Sequence, residues 1–179
     1  MTEAGGCAWP LGAGGVGLRL VREDDAEELG ALIDANREHL VPWMPWAAGQ
    51  GEVETLAFLR RAGQQLQAND GFQAALVVEG AIAGIAGFHR VDWVNRTTSI
   101  GYWLAAERQG RGTMTAAVAA LARHALDAWG LNRVEIRAAV ENRRSRAIPE
   151  RLGFRQEATM RRAERVGDRS LDLVVYSLV

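Results

Sequence analysis

The sequence contains no lysine, so all 21 of its basic residues are arginine. That excludes a lysine Schiff base, a catalytic lysine and the lysine that a Walker phosphate loop requires. Cysteine occurs once, as Cys7, which rules out an intramolecular disulfide and gives no support to a cysteine nucleophile or a thiolate metal site. No metal is expected, and a reducing cytoplasm is the compartment that fits. A net charge of −1 leaves no general field to hold nucleic acid or an anionic membrane. No apolar run reaches membrane-spanning length, and the opening MTEAGGCAWPLGAGGVG lacks the basic region and continuous apolar core of a signal peptide.

What is present is a chain of 179 residues, 48% of them hydrophobic, enough for one domain with a substantial core and too short for two full-sized ones. Residues 1–17 are expected to form a flexible arm and residues 18–179 a single domain. LRLVRE, from Leu18 to Glu23, alternates like a strand and leads into Asp24 and Asp25. Either aspartate suits the cap of a first helix over about 25–40, with Glu27 or Glu28 closing a capping box. A second helix follows from Val53, Leu56, Leu59, Gly63 and Leu66, ending near Gly71.

The period then shortens to two. Phe72 to Glu79, Ala81 to Val91 and Thr97 to Leu104 are three strands, the first two joined tightly at Glu79-Gly80. Met114, Ala117, Val118, Leu121, Ala125 and Trp129 mark a helix from Thr113 that Gly130 stops. Strand Arg133 to Val140, a short helix over about 145–152, strand FRQEATMR and strand LDLVVYSLV complete the chain, with Val166-Gly167-Asp168 as the last turn. Pro149 predicts a distorted or late-starting short helix. No internal repeat occurs. The order specifies a mixed α+β domain whose sheet is mostly antiparallel, with one strand-helix-strand unit long enough for a parallel pair.

Between the Thr97 strand and the Thr113 helix lies ERQGRGTM, Glu107 to Met114. Glycines before a helix leave unpaired N–H groups at the positive end of its dipole, a place for phosphate or pyrophosphate, and Arg108 and Arg111 add charge-assisted bonds. Thr113 stands where a Walker lysine belongs, and Thr115 where a dinucleotide fingerprint needs its third glycine. On this stretch alone an ordinary glycine loop remains the plain alternative.

The wider run GYWLAAERQGRGTMTAAV resembles the acyl-CoA loop of the GNAT N-acetyltransferases. Gln109 and Gly112 match that pattern, and Met114 departs from its usual small residue. NRRSRAIPERLGF, Asn142 to Phe154, is similar to the family's Asn, two residues, Ser, then a short helix ending in Leu-Gly-Phe. The terminal GFRQEATMRRAERVGDRSLDLVVYSLV, together with HLVPWMPW, is similar to the RimJ/RimL-like ribosomal-protein branch.

The resemblance implies a GNAT fold, its sheet splayed between its fourth and fifth strands, Thr97–Leu104 and Arg133–Val140, and flanked by helices. It implies an acetyl-CoA-dependent N-acetyltransferase acting on a primary amine by direct attack in a ternary complex. The acceptor would be a protein N-terminal α-amine, of ribosomal-protein type. A small amine or antibiotic acceptor, or an idle acyl-CoA-binding module, are the alternatives. The backbone at Trp103 and Leu104 would take the pantetheine and the oxyanion, and Arg108, Gln109, Gly110, Arg111, Gly112, Thr113 and Met114 the pyrophosphate. Asn142 would bond the pantetheine amides, and Ser145 would meet the leaving thiolate or, on a plainer reading, cap the short helix.

Glu157 is the implied general base, with His89 and Asp92 as alternatives; Ser99 stands where relatives often carry a glutamate. Trp43, Trp46 and His89 would shape the acceptor site, with Met44 and Pro45 beside the rings. Arg143, Arg144 and Arg146 would meet the CoA 3′-phosphate or simply be solvated. A homodimer through the arm or the last strands is compatible with the sequence.

Overall fold

The structure, a computed structural model, describes residues 9–11 and 15–179. Most of the expected arm, Cys7 included, lies outside the described residues. Among those described, the strands are β1 (Trp9–Pro10), β2 (Val16–Leu20), β3 (Gln73–Val78), β4 (Ala81–Asp92), β5 (Thr97–Leu104), β6 (Arg133–Ala139), β7 (Arg155–Val166) and β8 (Arg169–Leu178). They form one sheet in the order β1-β2-β3-β4-β5-β6-β8-β7. Every neighbouring pair is antiparallel except β5 and β6. Trp9 of the arm is part of the edge, paired with Leu18 and stacked on Phe72 at 5.3 Å between ring centroids. No helix among the described residues is long and apolar enough to cross a membrane.

Helices α1 (Ala26–Leu40) and α2 (Glu52–Gln67) cover one face of the sheet, and α3 (Thr113–Arg123) and α4 (Arg143–Arg151) the other. On the α3 side, Met114, Val118 and Leu121 pack with Leu76, Phe88, Ile100, Ile136 and Tyr176. On the α1 side, Leu29, Ile33 and Leu59 pack with Ile82, Ile85 and Trp103. Helix α3 runs on into a π-helical turn, His124–Ala128, whose Trp129 packs on Phe88 at 4.7 Å.

Two local expectations fail for physical reasons. Asp25 sits in a 3-10 turn, where its carboxylate accepts the Arg22 N–H at 2.8 Å and pairs with Arg19 at 2.8 Å. Glu28 closes no capping box but reaches across to the Ile82 N–H at 2.6 Å, beside a β-bulge at Leu76/Val77. In α2 the buried residues are Thr55, Leu59 and Ala62, while Val53 and Leu66 are 76% and 44% exposed. Burial of Thr55 is tolerable because its hydroxyl donates to the Gly51 carbonyl at 2.8 Å, leaving no unpaired polar atom.

The parallel pairing is short. Thr97, Thr98 and Ser99 pair with Arg133, Val134 and Glu135, and beyond them β5 and β6 part. Each keeps an antiparallel partner, β5 with β4 up to Gly84↔Leu104 and β6 with β8 up to Ala139↔Leu173, so the gap opens without leaving either strand alone.

Gly84 sets how closely β4 approaches β5. A Cβ there would lie 2.2 Å from the Trp103 carbonyl oxygen and 2.9 Å from the Leu104 Cα, both backbone atoms that cannot turn aside. Gly84→Ala is therefore expected to cost about 3 kcal/mol, the upper range for overpacking, seen as a lower midpoint in denaturant unfolding; an unchanged midpoint would refute this packing account.

Candidate active site

The chain leaves β5 at Leu104 and turns through Ala106–Arg108 into α3. The Asn36 side-chain carbonyl accepts the Ala106 N–H at 2.8 Å and ties this loop to α1. Gly110 and Gly112 have φ of 77° and 76°, a left-handed conformation that side-chain-bearing residues resist, although a Cβ would have open space at both. Gly112 is the N-cap of α3 and no side chain caps the helix, so its first N–H groups remain available. Gly110, Arg111, Gly112, Thr113 and Met114 line a cleft of about 1200 Å³ between α3 and α4. The Met114 side chain is buried in the core and does not crowd the loop.

Gln109 lines the same cleft. Its amide NH2 donates to His39 Nε2 at 2.7 Å and to the Leu104 carbonyl at 3.3 Å, while its carbonyl accepts from Arg144 at 2.9 Å. Arg108 does not line the cleft; it turns to Glu79 at the β3–β4 turn, 3.1 Å away. Arg143 and Arg144 line it as well. Arg146 points inward, donating to Tyr176 Oη at 2.8 Å and the Val140 carbonyl at 2.9 Å, and is not free for a phosphate.

The Ala105 N–H bonds to the Ala83 carbonyl at 2.8 Å. Antiparallel alternation then turns the backbone groups of Leu104 and Tyr102 away from β4 and into the gap facing β6, while those of Trp103 face β4. Leu104 thus has an N–H aimed into the cleft. The Trp103 side chain, whose face strand alternation left open, points to the α1–α2 layer.

Across the gap, Asn142 rather than Ser145 caps α4, its Oδ1 accepting the Ser145 N–H at 3.1 Å. The Ser145 hydroxyl is left to donate to Tyr102 Oη at 3.3 Å. Pro149 neither delays nor breaks α4, which runs from Arg143 to Arg151 with the proline inside. Its missing N–H is the one that Ser145 C=O would otherwise accept. The Tyr102 hydroxyl fills that vacancy, donating to the Ser145 carbonyl at 2.9 Å. Burial pushes the Tyr102 pKa up to about 12, so the phenol stays protonated.

On the opposite face a second cavity, of about 770 Å³, shares Trp43, Met44, Tyr102, Trp103, Asn142 and Ser145 with the first. Trp46 lies over Trp103 with ring centroids 6.1 Å apart. His89 lines this cavity, its Nδ1 3.0 Å from Ser99 Oγ. Its pKa is lowered, first by the protein packed around the ring and then by the charge of Arg137. Asp92 lines neither cavity; bonds from Asn95 hold it at the β4–β5 turn and lower its pKa.

Glu157 is absent from both cavities, contrary to expectation. Arg133 grips its carboxylate at 2.6 and 3.0 Å and Ser177 donates at 2.7 Å. Chiefly through that Arg133 bond its pKa falls to about 2, which suits an ion pair and not a base. The carboxylate in the second cavity is Glu164, seven residues on, with a pKa raised by burial. The expected strand FRQEATMR ends at Arg161 and left Glu164 outside it. In the structure β7 continues through a bulge between Met160 and Glu164, with Arg162 at φ 50°, and Glu164 lines the cavity.

The Pro149–Ser145–Tyr102 linkage is testable through stability. Tyr102→Phe leaves the Ser145 carbonyl unpaired and is expected to cost about 1–3 kcal/mol. In a Pro149→Ala background the restored N–H satisfies that carbonyl, and the cost of Tyr102→Phe should fall by half or more in a thermodynamic cycle. Equal costs in both backgrounds would mean that the proline does not create the vacancy.

The acetyltransferase (GNAT) domain model matches residues 16–155. YdaF of Bacillus subtilis, provisionally named a ribosomal N-acetyltransferase, is 38% identical over 90% of both chains. The ribosomal-protein-serine acetyltransferase of Escherichia coli is 28% identical over 90% of this chain and 91% of its own. Among solved structures, the microcin C7 self-immunity acetyltransferase MccE, in complex with acetyl-CoA and AMP, superposes with a TM-score of 0.89 at 29% identity over 94% of both chains. With the parted parallel pair, the glycine loop opening α3 and the Asn142–Ser145 turn all in place, the chain belongs to the GNAT acetyltransferase family and is an N-acetyltransferase of its RimJ/RimL-like branch.

Proposed function

We propose that this N-acetyltransferase carries the acetyl group of acetyl-CoA directly to the α-amine of a protein N-terminus, of ribosomal-protein type, within a ternary complex. The observation that carries this reading is the meeting of two cavities from opposite faces of the sheet at Tyr102, Trp103 and Ser145. A thioester entering along α3 and α4 and an amine entering along α1 and α2 come together there, in the gap between β5 and β6. The acetyl-CoA held by MccE supports the donor, and the names of YdaF and the Escherichia coli relative support the acceptor.

Residues of the first cavity fit the donor. The uncapped start of α3, with Gly110, Arg111 and Gly112, suits a pyrophosphate, and Arg143 and Arg144 add positive charge. The Leu104 N–H faces the thioester oxygen as charge builds on it. The amine nitrogen forms the new C–N bond as the C–S bond breaks, Ser145 Oγ supplies a hydrogen bond or proton to the thiolate, and Glu164 takes the proton lost by nitrogen, directly or through water. A thiol of pKa about 8.5 and an α-amine of about 8 make both transfers mild, so positioning does much of the work. Burial of Glu164 moves its basicity toward that of the amine.

Incubating purified protein with acetyl-CoA and ribosomal proteins, with intact masses and free thiol followed together, is expected to add one acetyl group at a single N-terminus. Thiol release with small amines and no protein product would replace the acceptor class. Ser145→Ala is expected to lower kcat by roughly ten- to a hundredfold, at the modest end for loss of an acid group, with acetyl-CoA affinity retained.

The two glutamates should separate cleanly. A raised pKa means that Glu164 favours the fold only at pH below the ordinary carboxylate range and opposes it as pH rises through the raised value. Glu164→Gln is therefore expected to unfold at a higher temperature at pH 7–8, while kcat falls by about a hundredfold. Glu157 has the opposite sign: its contribution is present above the ordinary carboxylate range and is lost as pH falls toward about 2. Glu157→Gln should keep kcat and lose stability at neutral pH, a difference that closes in acid. Reversed behaviour of the two variants in parallel thermal scans and kinetics would return the base to Glu157.

A further inference from the structure

The second cavity holds positive charge for which acetyl transfer has no use. Arg61 of α2 and Arg137 of β6 both line it, along with His89 and Ser99. Arg61 has no ion pair or hydrogen bond among the described residues, in a chain whose overall charge is −1. Arg137 gives one nitrogen to Glu135 at 3.0 Å and its side chain is 52% exposed. Glu135 is also held by Arg133 at 2.8 Å, so its charge is divided between two guanidiniums. With five N–H donors on a guanidinium, most of Arg137's capacity is left for another group. Burial first, and then the charge of Arg137, disfavours protonation of His89. Position 99 on the adjacent strand is serine, whose hydroxyl meets His89 and brings no neutralising charge.

Two guanidiniums bordering one partly apolar cavity make it favourable to an anion, since their planar forks match carboxylate or phosphate oxygens. Glu164, the carboxylate in the same cavity, suits an amine. We infer that the acceptor bears an anionic oxygen group, a carboxylate or a phosphate, close to its reacting amine, and that Arg61 and Arg137 bind it. This rests on the reading of the cavity as the acceptor site. It narrows the acceptor class from protein N-termini in general to those with an acidic neighbour: a peptide whose first residues include aspartate, glutamate or a phosphorylated side chain.

The test uses the full chain and matched acceptors: hexapeptides with Asp or Asn, and phosphoserine or Ser, at the second and third positions. Acetyl transfer is followed by mass, and binding of each acceptor in the presence of CoA by calorimetry. At least one anionic member should exceed its neutral partner by roughly tenfold or more in kcat/KM, carried by KM, about the worth of one charge-assisted hydrogen bond. Which pair shows the gap identifies the source of the anion. Arg61→Gln and Arg137→Gln should each shrink that preference and together abolish it, while Arg165→Gln, at the exposed end of β7, keeps it.

Equal rates and affinities for anionic and neutral partners would overturn the inference and leave N-acetylation standing, as would a preference that survives loss of both arginines. Tighter binding of anionic members without transfer would keep the anion site and remove the acceptor reading. Neither binding nor transfer with any member would overturn both.

Discussion

Beyond Ser99 the backbone of β5 no longer reaches β6, and the site depends on that separation. A sheet cannot leave two interior edges unpaired in an apolar layer without cost, because each lost N–H or C=O partner must be replaced. Here β4 and β8 hold the outer edges of the two strands, and the inner edges open onto a cleft where a ligand can take the missing bonds. The fold therefore leaves the backbone groups of Tyr102 and Leu104 facing the cleft. The opening passes from one face of the sheet to the other, so a donor and an acceptor can approach from opposite layers.

The walls of that opening are fixed by small substitutions of one hydrogen bond for another. Pro149 withholds an N–H from α4, the Ser145 carbonyl turns to the Tyr102 hydroxyl, and a helix on one side of the gap is joined to a strand on the other. Asn142 takes over the capping of α4 and leaves the Ser145 hydroxyl unused by the helix. A buried phenol with a pKa of about 12 is a steady donor for this purpose, since it does not ionise near neutral pH.

Glu157 and Glu164 show how environment assigns chemistry to identical side chains on one strand. Arg133 and Ser177 saturate Glu157 and stabilise its charge, whereas Glu164 gains no such partner among the described residues and sits where its charge is disfavoured. An ion pair adds to stability and discourages proton transfer; a poorly solvated carboxylate lowers stability and accepts a proton more readily. The strand thus carries one glutamate committed to an ion pair and one whose surroundings favour proton uptake.

Much of this was legible in the residues themselves. Alternation marked β5 from Thr97 to Leu104, the apolar spacing from Met114 onward set α3, and Gly110 and Gly112 marked a helix start with unpaired N–H groups. The absence of lysine closed off a Walker loop, and the resemblance carried by NRRSRAIPERLGF pointed to Asn142 and Ser145, both of which line the cleft. What the sequence could not decide were directions taken in three dimensions. The family resemblance pointed to Glu157 while the folded β7 brings Glu164 to the cavity, Arg108 and Arg146 are drawn off by Glu79 and Tyr176, and Arg61 and Arg137 border one cavity from positions 76 apart in the chain. Local periodicity fixes which segments become helices and strands because it depends on neighbours within a few residues. Which charged group remains free for a ligand depends on partners that only the folded chain brings together.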